Sequence, residues 1–313
     1  MNPVQNEDIK TSLNERGGFQ IWWRLLRPHT LTAAFVPVFI GTMLAALDSS
    51  INFLLFLAML LASILIQAAT NMFNEYYDYV RGLDTEKSVG IGGTIVRDGI
   101  SPKTVLGLAI AFFGIAILLG VYISAASSWW IAIIGATSML FGYLYTGGPL
   151  PIAYTPFGEL AAGFFMGTVI IGISYFIQTM AINPSVLIVS IPVAIFVGAI
   201  LLANNIRDLE GDKENGRRTI AILLGKKGAI RFLAGLFITA YLFTAIFIVA
   251  GLLPIWSLLS FLSFKKAIKA VKGFIGKIQP VEMMPAMKAT AQTNTIYGLL
   301  LGISLLLQLY FPI

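Results

Sequence analysis

Asn71-Met-Phe-Asn-Glu-Tyr-Tyr-Asp-Tyr-Val-Arg-Gly-Leu-Asp84 closes an apolar run that starts near residue 49. As a helix it puts Asn71, Asn74, Glu75 and Asp78 at i, i+3, i+4 and i+7, so two amides and two carboxylates share one face. The run ahead is long enough to cross a bilayer, which leaves that face within a turn or two of a membrane surface. Acids at such a depth are costly and are kept mainly where they bind something. A second stretch, Asn204-Asn-Ile-Arg-Asp-Leu-Glu-Gly-Asp212, ends another apolar run in the same way.

Around these two stretches, the 313 residues are 57% apolar and only 12% charged, where a soluble domain carries about 25% charged residues. Residues 28–47, 104–158, 160–206, 232–264 and 289–313 contain no Asp, Glu, Lys or Arg. At roughly 20 residues per crossing, these runs and 49–74 predict an all-α, polytopic membrane protein with nine transmembrane helices. The expected spans lie at about 21–47, 53–80, 104–123, 129–145, 157–180, 186–206, 229–250, from 255 onward, and 290–310. Trp22, Trp23, Arg24 and Arg27 suit the entry of the first. The eighth is long enough only if Lys265, Lys266, Lys269 and Lys272 snorkel along its last turns. Residues 1–20 read as a flexible cytoplasmic tail without a cleavable signal pattern, and 21–313 as a single transmembrane domain.

All 21 Lys and Arg fall in the N-terminal segment, in 81–103, 207–228 and 265–288, or at the adjoining helix ends. The turns near 48, 126, 183 and 252 have none. This asymmetry places the N-terminus and both acidic faces on the cytoplasmic side and the C-terminus outside. It also accounts for the net charge of +6, so nucleic acid is not an expected partner and membrane lipid is. With no cysteine and only His29 as histidine, disulfides, thiolate nucleophiles and His-clustered metal sites are excluded. His29, just after Arg27-Pro28, reads as interfacial. Spans two and six each end in an acidic and amide face followed by a basic loop, four helices apart. This suggests two similar four-helix halves plus one extra helix.

Asn74, Asp78 and Asp84 form one oxygen-rich cluster, and Asn205, Asp208 and Asp212 form another along a single helical face. Hard cations such as Mg²⁺ favour carboxylate and amide oxygen and commonly share their coordination with substrate phosphates. Two facing clusters could hold a diphosphate through bridging metals. Among the basic residues beside them, Arg97 and Arg207 are the favoured phosphate contacts, with Lys87 and Lys213 close in sequence. Gly90-Ile-Gly-Gly-Thr94 lacks the strand context and Gly-Lys-Ser/Thr ending of a P-loop and reads as a loop covering the substrate. Tyr145, Tyr154 and Glu159, around the Pro-rich turn 146–156, are further candidate substrate contacts. A cation-coupled transporter also keeps intramembrane acids and repeated halves. Here, however, the acids sit at one surface, and spans two and six have no central Gly/Pro break.

At these two stretches the sequence resembles the UbiA-type intramembrane aromatic prenyltransferases, a nine-helix family with Asp-rich motifs on helices two and six. The first motif stands here as Asn74-Glu75-x2-Asp78-x5-Asp84, with Glu75 where the family has Asp; the second is Asn205-x2-Asp208-x3-Asp212. Asn204-Asn-Ile-Arg-Asp208, Gly216-Arg-Arg-Thr219, Leu224-Gly225 and Tyr145-Thr-Gly-Gly-Pro149, with Tyr154 and Gly158-Glu159, are most similar to the branch that prenylates 1,4-dihydroxy-2-naphthoate in menaquinone biosynthesis. Asn205 stands where the 4-hydroxybenzoate branch has Asp. The resemblance implies two Mg²⁺ ions held by Asn74, Asp78, Asp84, Asn205, Asp208 and Asp212, with the aspartates as the catalytic set. It implies that Arg97, Arg207 and Lys213 contact the diphosphate of a polyprenyl diphosphate, and that the tail lies between apolar helices. It further implies attack by the naphthoate ring with loss of CO₂, a reaction that needs no strong protein base. Other aromatic acceptors, such as 4-hydroxybenzoate or haem, stay open at this point.

Overall fold

Proline disfavours the right-handed α conformation at the residue before it, and Pro28 thereby divides what reads as one N-terminal span. Arg27 takes up φ 52° and ψ 62°, ending a short amphipathic helix, α1 (Phe19–Leu26), and opening α2 (Pro28–Asp48). The computed structural model describes residues 18–84 and 93–312, and these are helical or irregular, with no strand among them. The first span therefore begins at Pro28, and Trp22 and Trp23 belong to the separate α1. The tail up to residue 17, Lys87 and the glycines at 90 and 92 lie outside the described residues.

Asn52 caps α3 (Phe53–Val80) by accepting hydrogen bonds from the amides of Leu54 and Leu55. At 1.5 Å per residue, α3 is about 42 Å long, well over the ~30 Å of a hydrocarbon core. That excess is enough for its last two turns, which carry Asn74 and Asp78, to reach past the apolar layer. The short α4 (Thr94–Asp98) follows, then α5 (Pro102–Ala126), α6 (Trp130–Leu144), α7 (Gly158–Thr179) and α8 (Pro184–Arg207). Within α7, Gly163–Val169 winds as a π-helix. The short α9 (Leu209–Glu214) leads to α10 (Ile220–Val249), which is broken at Gly225 with φ 65°. A 3₁₀ stretch (Ile255–Ser263) runs into α11 (Phe264–Phe274), and α12 (Pro280–Tyr310) closes the chain. Gln279 and Glu282 form a capping box that starts α12 well before the expected residue 290.

Seven of these helices are long and apolar enough to cross a membrane, and the chain is a multi-pass membrane protein. The expected fourth span corresponds to the 15-residue α6, and the expected eighth to the 3₁₀ stretch joined to α11. Helix α2 packs against α3, α7 and α12, while α8 packs against α7, α10 and α12. Helices in lipid gain little from apolar burial and depend on close approach. Gly41 of α2 permits that approach, since a Cβ there would lie 2.5 Å from the carbonyl oxygen of Ile171. Phe196, Tyr241 and Tyr297 pack as a buried aromatic group between α8, α10 and α12, with the Phe196 and Tyr297 ring centroids 4.5 Å apart. In this arrangement the polar ends of α3 and α8 open on the same cavity.

Candidate active site

A cavity of about 870 Å³ is lined at one end by Asn74, Asp78 and Asp84 from α3 and the turn after it, and by Asn205, Asp208 and Asp212 from α8 and α9. The six residues read as two oxygen clusters thus share one space. Arg27, Arg207 and Arg217 line the same end. Arg217 joins the two halves. Its Nη2 donates to Asp78 Oδ1 at 2.8 Å and its Nη1 to Asp212 Oδ1 at 3.0 Å. All three side chains are largely buried. Burial opposes the charge of Arg217, but Asp78 and Asp212 outweigh it and hold its pKa above the usual value. Arg207 pairs with Asp208, donating through Nε at 2.6 Å and also through Nη2, and its Nη1 lies 3.3 Å from the Met287 sulfur.

The three arginines leave a carboxylate oxygen at this end unsatisfied. Asp212 Oδ2 is buried with no hydrogen-bond donor. Burial pushes the Asp212 carboxyl up to about 7, with Asp208 and Asp78 reinforcing the rise and Arg217 opposing it. Burial, then the neighbouring Asp78 and Glu75, pushes Asp84 up to about 6. An unpartnered buried oxygen beside carboxylates that repel one another fits a hard cation. Among the described residues, no group of three acidic or histidine side chains encloses a cation by itself, so the amides and oxygens from outside the protein would have to complete its shell.

The other candidates divide. Tyr145 lines the cavity. Tyr154 does not, but lies between two guanidinium groups, with Arg217 5.2 Å and Arg81 5.7 Å from its ring centroid. Its carbonyl also accepts from the Arg218 amide at 2.9 Å. It therefore supports Arg217 from behind. Glu159, buried outside the lining, accepts from Nδ2 of the lining residue Asn205 at 2.9 Å, which fixes the orientation of that amide. Arg97 turns away from the cavity and pairs with Asp98, and Lys213 is exposed outside the lining. Two residues have a larger place than their sequence context suggests. Arg27 looks like a topology signal, yet it lines the cavity and donates to Asn74 Oδ1 at 2.6 Å. Arg217 is one basic residue among several in its loop; the Gly216-Arg-Arg-Thr219 pattern was the available signal. His29 also lines the cavity. Asn71 is engaged in binding α3 to α1 and α2, donating to the Leu26 carbonyl and the Thr30 hydroxyl.

Away from the charged end the lining turns apolar, through Ile66, Ile117, Val121, Phe165, Val169 and Ile173 of α3, α5 and α7. A cavity with charge at one end and an apolar body suits an amphiphile with an anionic head.

The chain matches the UbiA prenyltransferase family over residues 34–277 and belongs to it. It is 56% identical, over 99% of its own length and 100% of the relative's, to the 1,4-dihydroxy-2-naphthoate octaprenyltransferase of Bacillus subtilis (strain 168). It is 26% identical to the Escherichia coli (strain K12) protein of the same name, over 92% of this chain and 96% of the other. In three dimensions it resembles a UbiA homolog from Aeropyrum pernix K1, with a TM-score of 0.67 at 15% identity over 88% of this chain and 97% of the other. A UbiA homolog from Archaeoglobus fulgidus bound to DMAPP and Mg²⁺ gives a TM-score of 0.63 at 16% identity, over 89% and 97%.

Proposed function

We propose that this chain transfers a polyprenyl group from polyprenyl diphosphate to 1,4-dihydroxy-2-naphthoate, releasing diphosphate and CO₂. The observation that carries this reading is the joining of Asn74, Asp78, Asp84, Asn205, Asp208 and Asp212 at the charged end of one apolar cavity. The near full-length likeness to the Bacillus subtilis octaprenyltransferase supports the choice of acceptor. The site faces the cytoplasm in a nine-crossing domain over 21–313 of the cell membrane, a placement supported by the sorting of basic residues.

Those six residues would hold two Mg²⁺ ions, in keeping with the bare Asp212 oxygen. When bound, Mg²⁺ supplies positive charge to the oxygens of the departing diphosphate. The chain's own part is to orient and to neutralise. Arg217 and Arg207 present fixed guanidinium donors at the charged end, and the apolar lining keeps water from the allylic carbon. As the C1–O bond breaks, its electrons leave with diphosphate. The ring carbon bearing the carboxylate attacks C1, and loss of that carboxylate as CO₂ returns its bonding pair to the ring. No protein base is consumed. Purified protein with Mg²⁺, a polyprenyl diphosphate and dihydroxynaphthoate is expected to yield the prenylated, decarboxylated product by mass. 4-Hydroxybenzoate offered in the same tube is expected to be left untouched. Absence of Mg²⁺-dependent product with every aromatic acceptor would refute the enzyme reading.

The lining sets two further outcomes. Asp84 and Asp212 titrate near 6 and 7 and bind a cation only when deprotonated. The Mg²⁺ concentration for half-maximal activity should therefore fall about tenfold between pH 6 and pH 8. A flat dependence would remove these two as ligands. Gly120 and Gly135 line the apolar body, and a Cβ at either meets nothing within 4 Å. Gly135→Phe should raise KM for a long-chain donor at least about tenfold by filling that space, while a geranyl donor is little affected. Equal losses for both donors would place the tail elsewhere.

A further inference from the structure

We propose that Glu75 is a positioning residue and not a metal ligand: its carboxylate clasps Arg27 and the segment Gly93–Asp98 together at the charged mouth of the cavity. The proposal rests on the prenyl-transfer reading only for what Arg27 and Asn74 are positioned against. Asn74 and Asp78 line the cavity, but Glu75 does not; it is 1% exposed and faces the other way. Its Oε1 accepts from Thr94 Oγ1 at 2.8 Å and from the Ile95 amide at 3.2 Å. Its Oε2 accepts from the Gly93 amide at 2.9 Å and from Arg27 Nη2 at 3.3 Å. A carboxylate has about four acceptor sites, and all four are taken, so none is left for a cation.

The other end of the same guanidinium does the positioning. Arg27 Nη1 donates to Asn74 Oδ1 at 2.6 Å, so the orientation of Asn74 depends on where Glu75 holds Arg27. Arg27 sits in a left-handed conformation that a non-glycine residue keeps only when its surroundings maintain it. The segment it meets is held again at Asp98, which accepts from Arg24 of α1 at 3.0 Å and from Arg97 at 3.2 Å. Glu75 thus links the α1–α2 junction, α3 and α4 around the site without entering it.

The test compares Glu75→Ala, Glu75→Asp and the near-isosteric Glu75→Gln in the full-length protein. Hydrogen exchange of a peptide covering 93–98 reads the clasp directly. It is expected to speed up at least tenfold in Glu75→Ala and less in Glu75→Gln, which keeps one accepting oxygen. In the same variants, KM for the polyprenyl diphosphate is expected to rise about tenfold with kcat within threefold, and half-saturation by Mg²⁺ to weaken less than the exchange speeds up, because Glu75 reaches the cation only through Arg27 and Asn74. Glu75→Asp, one methylene shorter, should restore neither the exchange protection nor KM. Unchanged exchange with a tenfold weaker Mg²⁺ requirement would make Glu75 a ligand and overturn the proposal, as would unchanged exchange with unchanged KM. The exchange result stands even if the wild-type chain proves to act on a different acceptor or not to transfer prenyl groups at all.

Discussion

Asp78→Ala and Asp208→Ala should each lower kcat about 10³-fold while the protein inserts and purifies as the wild type does. The magnitude comes from the charge these positions bring to the departing diphosphate. Losing a cation's stabilisation there is worth several kcal/mol, and each 1.36 kcal/mol is tenfold in rate. Both truncations also cost stability, since buried Arg207 loses its carboxylate partner in Asp208→Ala and Arg217 loses one of two in Asp78→Ala, so turnover is compared at a temperature where both variants stay folded. Turnover is measured by product mass, and folding by size-exclusion behaviour and circular dichroism. Wild-type rates in both variants would mean that the cations sit elsewhere. The double variant should be no worse than about tenfold below either single one, because the two act on the same leaving group.

Arg217→Ala is expected to lower kcat about 10²-fold to 10³-fold, the usual cost of removing a fixed donor aimed at developing negative charge. Its effect differs in kind from that of the aspartates, since it also leaves Asp78 and Asp212 buried without their shared counter-charge. Breaking a buried pair in this way costs on the order of 3–5 kcal/mol, so the melting temperature should fall as well. Mg²⁺ should then recover more stability in the variant than in the wild type. Arg217→Lys keeps the charge but cannot reach two carboxylates at once. It should recover part of the stability and little of the rate. A variant that loses stability but turns over normally would confine Arg217 to holding α3 and α9 together.

Much of this was legible in the chain itself. The helix period placed Asn74 and Asp78 on one face, and charge-free runs divided at roughly 20 residues per crossing marked the spans to within a few residues in most cases. Charge sorting is a weaker kind of information, because it tells which side a residue is on and not what it touches. Arg27, Arg97 and Arg217 look alike by that measure. The structure sends Arg97 to Asp98, Arg27 to Asn74 and Glu75, and Arg217 to two aspartates 139 and 5 residues away in sequence. Long, flexible side chains at loop ends are set by tertiary partners that no local pattern carries. Glu75 shows the same limit. Helical spacing puts it beside Asn74, but one position around the turn is enough to direct it toward α4 and away from the cavity. The division at Arg27, by contrast, was available from Pro28, whose effect on the preceding residue is local.

Along the cavity the lining changes character, from Asp78 and Arg217 to Ile117, Val121 and Ile173, and this gradient governs the fate of the products. The substrate enters as one amphiphile but departs as fragments with opposite solubility. Diphosphate is a soluble anion released at the charged end, where water and counter-ions carry it off. The prenylated ring, having lost its carboxylate, no longer has a charge to hold it there and partitions into the hydrocarbon of the bilayer. Each fragment is diluted into a different phase, so re-encounter between them is rare and the separation itself favours the forward direction.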